Sequence, residues 1–443
     1  MPWQPAAGPL ARASQPSPTP MNAPAVLRRL VIPDAHASDP ARLGWMTGSP
    51  PPADRVIRFA DGSAYEFPQM RWSFSNFRQL VPTRVVGRGT GPVSELPNAE
   101  RDDIDSLRFT PLYGGAEMRW AESLASNYTD GIVVLHQGRI VHERYFGALD
   151  ADRPHIAMSL TKSVIGLLGA TLLAEGRLAD DSSVASRLPE LAPSGLGDAT
   201  LRQLLDMTAA LRFSEDYADP DAEIWAHLLA GQVLPRPPGY QGPGSFCDAM
   251  PRVQKQGEHG QRFAYSTVNA DALAWVMRRA TGLDTASLLA QRLWSRLGAE
   301  HDACISIDPD GTEFAGGGLN TTLRDLARLG EMVRRNGFFN GQQILPRGVV
   351  DDIRRGGDAG LFCRTNPPPQ RGWTYRNMWW VTHNPHGALM ARGVHGQALY
   401  IDPAAGMVVA RYASHPMAAG TANDPTTLPA WHALARHLMA HPR

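Results

Sequence analysis

Ser159 and Lys162 stand three residues apart in His155-Ile156-Ala157-Met158-Ser159-Leu160-Thr161-Lys162-Ser163, just before the apolar run Val164 to Ala170. If a helix begins near Ser159, both side chains share one face of its first turn and can reach each other. A serine hydroxyl is a poor nucleophile until an adjacent base takes its proton, and a neutral lysine amine can be that base. The positive end of such a helix would also stabilise an anion at Ser159.

Alone, Ser-x-x-Lys is a weak pattern that chance places at many helix starts. Composition strengthens it here. Lys and Arg total 43, yet Lys162 and Lys255 are the only lysines among 443 residues. Arginine is not deprotonated in a protein, whereas lysine can be. A chain that writes nearly every other cation as arginine points to lysine chemistry at 162.

The remaining composition narrows the classes. A formal net charge of +0 gives no electrostatic footprint for nucleic acid or an anionic membrane. Hydrophobic content of 43% fits a globular protein with a large core. Cys247, Cys304 and Cys363 are widely spaced and odd in number, so neither a disulfide framework nor a Cys-x-x-Cys metal site follows. The fourteen histidines include no His-Glu-x-x-His pair, and no metal or cofactor is expected. Residues 1–25 are rich in Pro, Ala and Ser without the apolar run of a signal peptide, and Met21 is a second candidate start. No stretch reaches the length of a membrane span, so the expected compartment is the cytoplasm.

The elements that must position Ser159 can be read from pattern. Residues 1–50 are expected to be a disordered or irregular tail, and 51–104 an irregular wrapping extension anchored by Trp72, Phe74 and Phe77. A helical stretch at 116–125 precedes a tight β-hairpin, 132–136 and 139–145 around Gln137-Gly138. The helix from Ser159 to about Glu175 is apolar nearly all round, hence buried, and Gly176 marks its stop. Residues 180–316 read as a helical domain with long loops. A helix at 322–336, strands at 389–392, 398–401 and 407–412, and a closing helix at 428–441 complete the chain. Strands near both ends with helices between imply one α/β domain, 105–179 plus 317–443, with the helical domain inserted.

Several motifs in order carry a family resemblance. They are Ser159 to Lys162, Thr200 to Leu211, Tyr265 in Phe263-Ala264-Tyr265-Ser266-Thr267-Val268-Asn269, and Gly393-Val394-His395-Gly396-Gln397. From about residue 70 onward the chain resembles the serine β-lactamase-like hydrolases, which include class C β-lactamases, D,D-peptidases and family VIII carboxylesterases. Within them it is most similar to the 6-aminohexanoate-dimer hydrolase (nylon-oligomer hydrolase) branch, through Glu215 to Pro220 and Asn269 to Trp275.

The resemblance implies an α/β (α+β) fold of the β-lactamase/D,D-peptidase type, an antiparallel sheet flanked by helices with an all-helical insertion. It implies Ser159 as acyl-forming nucleophile, Lys162 as proton acceptor and Tyr265 as phenolate or proton shuttle. Backbone N–H groups of Ser159 and Val394 would hold the oxyanion, and Tyr217 would lie on a loop over the pocket. Beside these, the residues themselves give His395 three readings, orienting the oxyanion strand, contacting the tyrosine hydroxyl or a structural hydrogen bond, and Trp380 two, pocket wall or core filling, while Asn269 is expected at the substrate. The implied activity is cleavage of carboxylic esters, or of small linear amides such as 6-aminohexanoate oligomers, through an acyl-enzyme. The partner is then a small ester or amide, and related folds allow a homodimer. The alternatives are a β-lactamase or D,D-peptidase, an acyltransferase, or a silent ligand-binding member.

Two departures bear on these alternatives. Where penicillin-handling enzymes carry Lys-Thr-Gly, this chain has Ala391-Arg392-Gly393. Where they carry Tyr-x-Asn it has Tyr265-Ser266-Thr267, with Asn269 two residues on. Those enzymes need a cation for the substrate carboxylate, so both departures favour the ester or linear amide. Gly316-Gly317-Gly318 lacks the order of a nucleotide loop and is read as tight packing behind the active site.

Overall fold

The computed structural model describes residues 32–362 and 370–441. The expectations for residues 1–25 and for Cys363 lie outside them. In chain order the strands used below are β1 (Thr83–Val86), β2 (Thr129–His136), β3 (Arg139–Tyr145), β4 (His155–Ile156), β5 (Ala303–Ser306), β6 (Leu319–Thr321), β7 (Thr374–Arg376), β8 (Trp379–Val381), β9 (Leu389–Gly393), β10 (Gln397–Asp402) and β11 (Met407–Ala413). The helices are α1 (Leu160–Ala174), α2 (Glu223–Ala230), α3 (Val268–Thr281), α4 (Leu323–Arg334) and α5 (Asp424–Ala440).

The main sheet has seven strands in the order β7-β8-β9-β10-β11-β2-β3, antiparallel throughout. Its β2–β3 hairpin turns at Gln137 and Gly138, with φ of 50° and 78°. Two positive φ values give the turn whose twist matches that of the flanking strands. Pairing of β11 with β2 joins the two ends of the chain in one sheet.

Alternation along β10 sets the layers, because successive strand side chains face opposite ways. Leu399 meets α4, where a Cβ on Gly330 would lie 2.7 Å from Leu399 Cδ1. Tyr400, the next residue, packs on Trp431 of α5 with ring centroids 5.4 Å apart. Helices therefore cover both faces of the sheet. In α1 every residue from Leu160 to Leu172 is buried, as its all-round apolar sequence requires. It ends at Gly176, whose φ of 69° few other residues adopt readily.

A second, four-stranded sheet, β1-β5-β6-β4, delivers the chain to Ser159. It corrects two expectations. The extension 51–104 is not irregular throughout, because Thr83–Val86 pairs with Ala303–Ser306. The span 180–316 is likewise not all helical, since β5 lies within it and pairs with β6 beyond it. Residues 303–306 read Ala-Cys-Ile-Ser, too short a run to separate strand from helix by period. The compact unit begins at Pro33, so 33–50 is not a loose tail. Asp39 caps a short helical turn there, and the Tyr128 hydroxyl donates to the Pro33 carbonyl at 3.0 Å. Phe74 and Phe77 are buried with Met70 and Ile156 in a small cluster beside the Ser159 approach.

Candidate active site

The chain enters α1 through Met158, held at φ 48°, and Ser159, at φ −61°. A non-glycine residue in the left-handed region carries strain that its surroundings must sustain. Here the turn presents Ser159 at the helix start. One turn on, Lys162 is 1% exposed, with its Nζ 2.9 Å from Ser159 Oγ. The same Nζ donates to the Gly316 carbonyl at 2.7 Å.

Tyr265 closes the group. Its ring centroid lies 5.1 Å from Lys162 Nζ, and its hydroxyl hydrogen-bonds with Ser159 and Lys162. Burial pushes the phenol above its ordinary pKa, partly offset by the Lys162 charge and those two hydrogen bonds. A hydroxyl, an amine and a protonated phenol in mutual contact can pass one proton between them.

The facing wall comes from the end of β9. A Cβ on Gly393 would lie 2.6 Å from the Ala157 carbonyl oxygen, so only glycine lets the strand come this close to the Ser159 turn. Val394 and His395 follow, with His395 at φ 62°. Three hydrogen bonds hold His395: its N–H to Ala418 O at 3.0 Å, its carbonyl from His415 N–H at 3.1 Å, and its Nδ1 to His415 O at 2.8 Å. Because a carbonyl only accepts, Nδ1 carries the proton. Burial lowers the pKa of the ring and favours its neutral form.

The third wall is apolar. Ile224, Trp225 and Leu228 of α2 join Val233, Leu234, Tyr217 and Tyr65 around a cavity of about 290 Å³. Tyr217 packs edge-on against Trp225 at 5.6 Å and its hydroxyl bonds Glu215. Burial, then Glu215, pushes that phenol well above its usual range. The Glu215 carboxylate also accepts from Thr267 N–H, beside Tyr265. Tyr65, from the N-terminal wrap, donates to Val233 O at 2.7 Å.

A profile of the Beta-lactamase family matches residues 122–425, a span that contains Ser159, Lys162, Tyr265 and the Val394 edge. The chain belongs to the beta-lactamase family. It is 32% identical over 372 residues to a 6-aminohexanoate-dimer hydrolase of Paenarthrobacter ureafaciens, covering 83% of this chain and 89% of that protein. A solved structure from Bacillus anthracis, provisionally named a 6-aminohexanoate-dimer hydrolase, superposes with a TM-score of 0.80 at 30% identity, covering 89% of this chain and all of that one (100%). A family VIII carboxylesterase shares the fold at a TM-score of 0.56 and 16% identity, covering 78% of this chain and 100% of that one.

Within this beta-lactamase fold the expected residues separate into three groups. Ser159, Tyr217, Val394 and His395 line the cavity. Lys162 and Tyr265 contact Ser159 from the interior. Trp380 and Asn269 stand apart from the cavity lining. Trp380 stacks on Tyr265 at 5.7 Å and 25°, supporting that ring from behind. Asn269 is fully buried and its amide donates to Met207 Sδ at 3.2 Å, which corrects its expected place at the substrate. Arg392 does not supply the cation of the missing lysine. It bonds Asp424 at 2.5 Å, with its guanidinium 5.6 and 5.7 Å from the rings of Trp373 and Trp380.

The sequence carried Glu215 and Thr267 only inside motifs, with no role of their own, and did not mark Tyr65 or the α2 residues. Ile224 and Leu228 at helical spacing were a visible signal of one apolar face, but not of what that face covers. Tyr65 gave none, since contact across 168 residues with Val233 is set by the wrap alone. The Gly316 segment does pack tightly: a Cβ there would run into Thr267 and Phe314. Among the described residues no group of three or more His, Cys, Asp or Glu could hold a metal, and no helix is long and apolar enough to cross a membrane.

Proposed function

We propose that this member of the beta-lactamase family is a serine hydrolase that forms an acyl-enzyme on Ser159 and cleaves carboxylic esters. The observation that carries the reading is the buried Lys162 amine 2.9 Å from the Ser159 hydroxyl at the cavity floor. With the amine neutral, Nζ takes the Ser159 proton as Oγ attacks the ester carbonyl. The developing oxyanion lies between the backbone N–H groups of Ser159 and Val394. Collapse expels an alkoxide, to which Tyr265 gives its proton, drawing one in turn from Lys162. Water then attacks the acyl-enzyme by the reverse relay, releasing the carboxylic acid and returning the proton to Ser159.

Esters come first because an alkoxide leaves more readily than an amine, which must be protonated as it departs. The lining agrees. Among the described lining residues none is Asp, Glu, Lys or Arg. A charged chain end would lose its water there without an ionic partner, at a cost of several kcal/mol. Cleavage of small linear amides is the second reading, favoured by the likeness to 6-aminohexanoate-dimer hydrolases and by Tyr217 lining the same cavity as Ser159. The cytoplasm is the proposed compartment, since Cys247 and Cys304 are free thiols.

The test is hydrolysis of short-chain aryl esters by the purified protein and by Ser159→Ala, with intact mass after a serine-directed phosphonate. Turnover lost in the variant and a covalent adduct on Ser159 support the acyl-enzyme. Linear amides, a chromogenic cephalosporin and an added alcohol acceptor separate the amidase, β-lactamase and acyltransferase alternatives. A folded protein that neither turns over nor labels would favour a silent ligand-binding member.

A further inference from the structure

Behind Lys162 lies a second line of buried polar groups that takes no direct part in proton transfer at Ser159. Gly316 accepts from Lys162 Nζ through its carbonyl, while its N–H donates to Asp271 Oδ1 at 3.0 Å. The other Asp271 oxygen accepts from His227 Nε2 at 2.7 Å. Both side chains are 2% exposed. Asp271 belongs to α3, which starts just after Tyr265, and His227 belongs to α2.

We propose that Asp271 and His227 are positioning residues for acyl transfer, aiming Lys162 at Ser159 through the backbone of Gly316. The proposal rests on the serine-hydrolase reading. A neutral amine has two N–H groups and one lone pair, and is a base toward Ser159 only while that lone pair points at Oγ. Its N–H groups must therefore find acceptors elsewhere. The Gly316 carbonyl takes one, and the Tyr265 oxygen is placed to take the other.

Gly316 has no side chain with which to be held, and the walls of Thr267 and Phe314 leave room for none. Its own N–H is the handle, and Asp271 grips it. A buried carboxylate needs more than one donor, and His227 supplies the second. His227 also ties this line to the cavity. It lies between Phe213 and Phe246, at 5.7 and 5.0 Å, while Ile224, Trp225 and Leu228 of the same helix line the substrate wall. One pair of side chains thus fixes the base and the apolar wall to each other.

The experiment compares wild type, Ser159→Ala, Asp271→Ala, Asp271→Asn and His227→Phe. It reads kcat and KM on a short-chain aryl ester, the rate of Ser159 labelling by a phosphonate, and thermal melting. Misplacing a reacting group by an ångström can cost about a hundredfold in rate. Asp271→Ala is expected to lower kcat and labelling about tenfold or more, with KM changed by less than about twofold. Asp271→Asn should recover most of that loss, since its amide oxygen still accepts from Gly316 once His227 changes tautomer. His227→Phe keeps the ring packing and removes the N–H, so kcat should fall by a smaller factor at similar KM.

Folded variants with wild-type kcat and labelling would overturn the proposal, as would an Asn variant no better than Ala. If Asp271→Ala does not fold, His227→Phe decides alone: unchanged kcat and labelling refute the positioning role. Failure of the wild type itself to turn over and label Ser159 would instead remove the hydrolase reading.

Discussion

Gly393 meets the Ala157 carbonyl across the gap between the sheet edge and the Ser159 turn, where an added Cβ would sit 2.6 Å from that oxygen. The φ of Gly393 is −135°, ordinary extended backbone, so space and not conformation demands glycine here. This contact sets the distance between the two proposed oxyanion donors, the N–H groups of Ser159 and Val394. Gly393→Ala should force them apart. Loss of one such donor costs about 10²–10³ in kcat, and steady-state kinetics on an aryl ester should show a fall approaching that with little change in KM.

Lys162→Arg keeps N–H donors but removes the ability to accept a proton. Kcat is expected to fall by about 10²–10⁴, the usual contribution of a general base. Circular dichroism and thermal melting would show whether the larger group still fits its buried site. Activity near wild type in a folded Arg variant would show that Lys162 is not the base.

Tyr265→Phe should discriminate by leaving group. Alkyl esters, which need the departing oxygen protonated, are expected to lose more than nitrophenyl esters, whose leaving group departs unaided. Because burial raises the Tyr265 pKa, the phenol holds its proton past the ordinary value of about 10. The alkaline limb of the kcat profile should therefore show no loss from Tyr265 below about that pH.

The same sign governs stability at high pH. Tyr65, Tyr217, Tyr265 and Tyr375 all have raised pKa values, with burial the leading cause. Above about pH 10 an unfolded chain releases these protons while the folded one keeps them. Their contribution is full below the unfolded value and is lost as pH rises above it towards the folded ones. Melting temperatures between pH 8 and 11 should fall steeply only in the upper part of that range. Tyr375→Phe should soften the decline.

Leu228 and Trp225 of α2 set the apolar wall. Leu228→Ala should shift the preferred acyl or alkyl chain to longer lengths, read as kcat/KM across an ester series. Leu228→Asp should depress all neutral esters and, on the second reading, improve linear amides with an ammonium end. An unchanged chain-length profile in a folded Leu228→Ala would place the substrate chain elsewhere.

Legibility from sequence divided along physical lines. The hairpin at Gln137-Gly138, the buried helix after Ser159 and its stop at Gly176 were readable because their signals are local: turn chemistry, hydrophobic period, a left-handed stop. Ser159, Lys162 and Tyr265 were readable from motif order, and the structure brings all three together. Strands β1 and β5 were not, because each is four residues long and β1 forms only by pairing with β5 across 217 to 223 residues of chain, as Thr83 with Ser306. Asn269 shows the limit of motif arithmetic. Lying two residues past the expected position, on a helix, turned it away from the cavity and onto Met207. What the Arg392 charge meets is likewise not in the motif, since the facing of its strand and the partner Asp424 decide it.

Tyr65 gives the N-terminal wrap a part in selectivity. The proposed chemistry resides at the starts of α1 and α3 and the end of β9, but one residue of the cavity lining comes from a segment that precedes them all, its hydroxyl bonded to the Val233 carbonyl. Variation in that leading stretch can retune what is accepted while leaving the reacting groups untouched. For engineering, diversifying residues around 65 is a way to explore new substrates without altering Ser159, Lys162 or Tyr265.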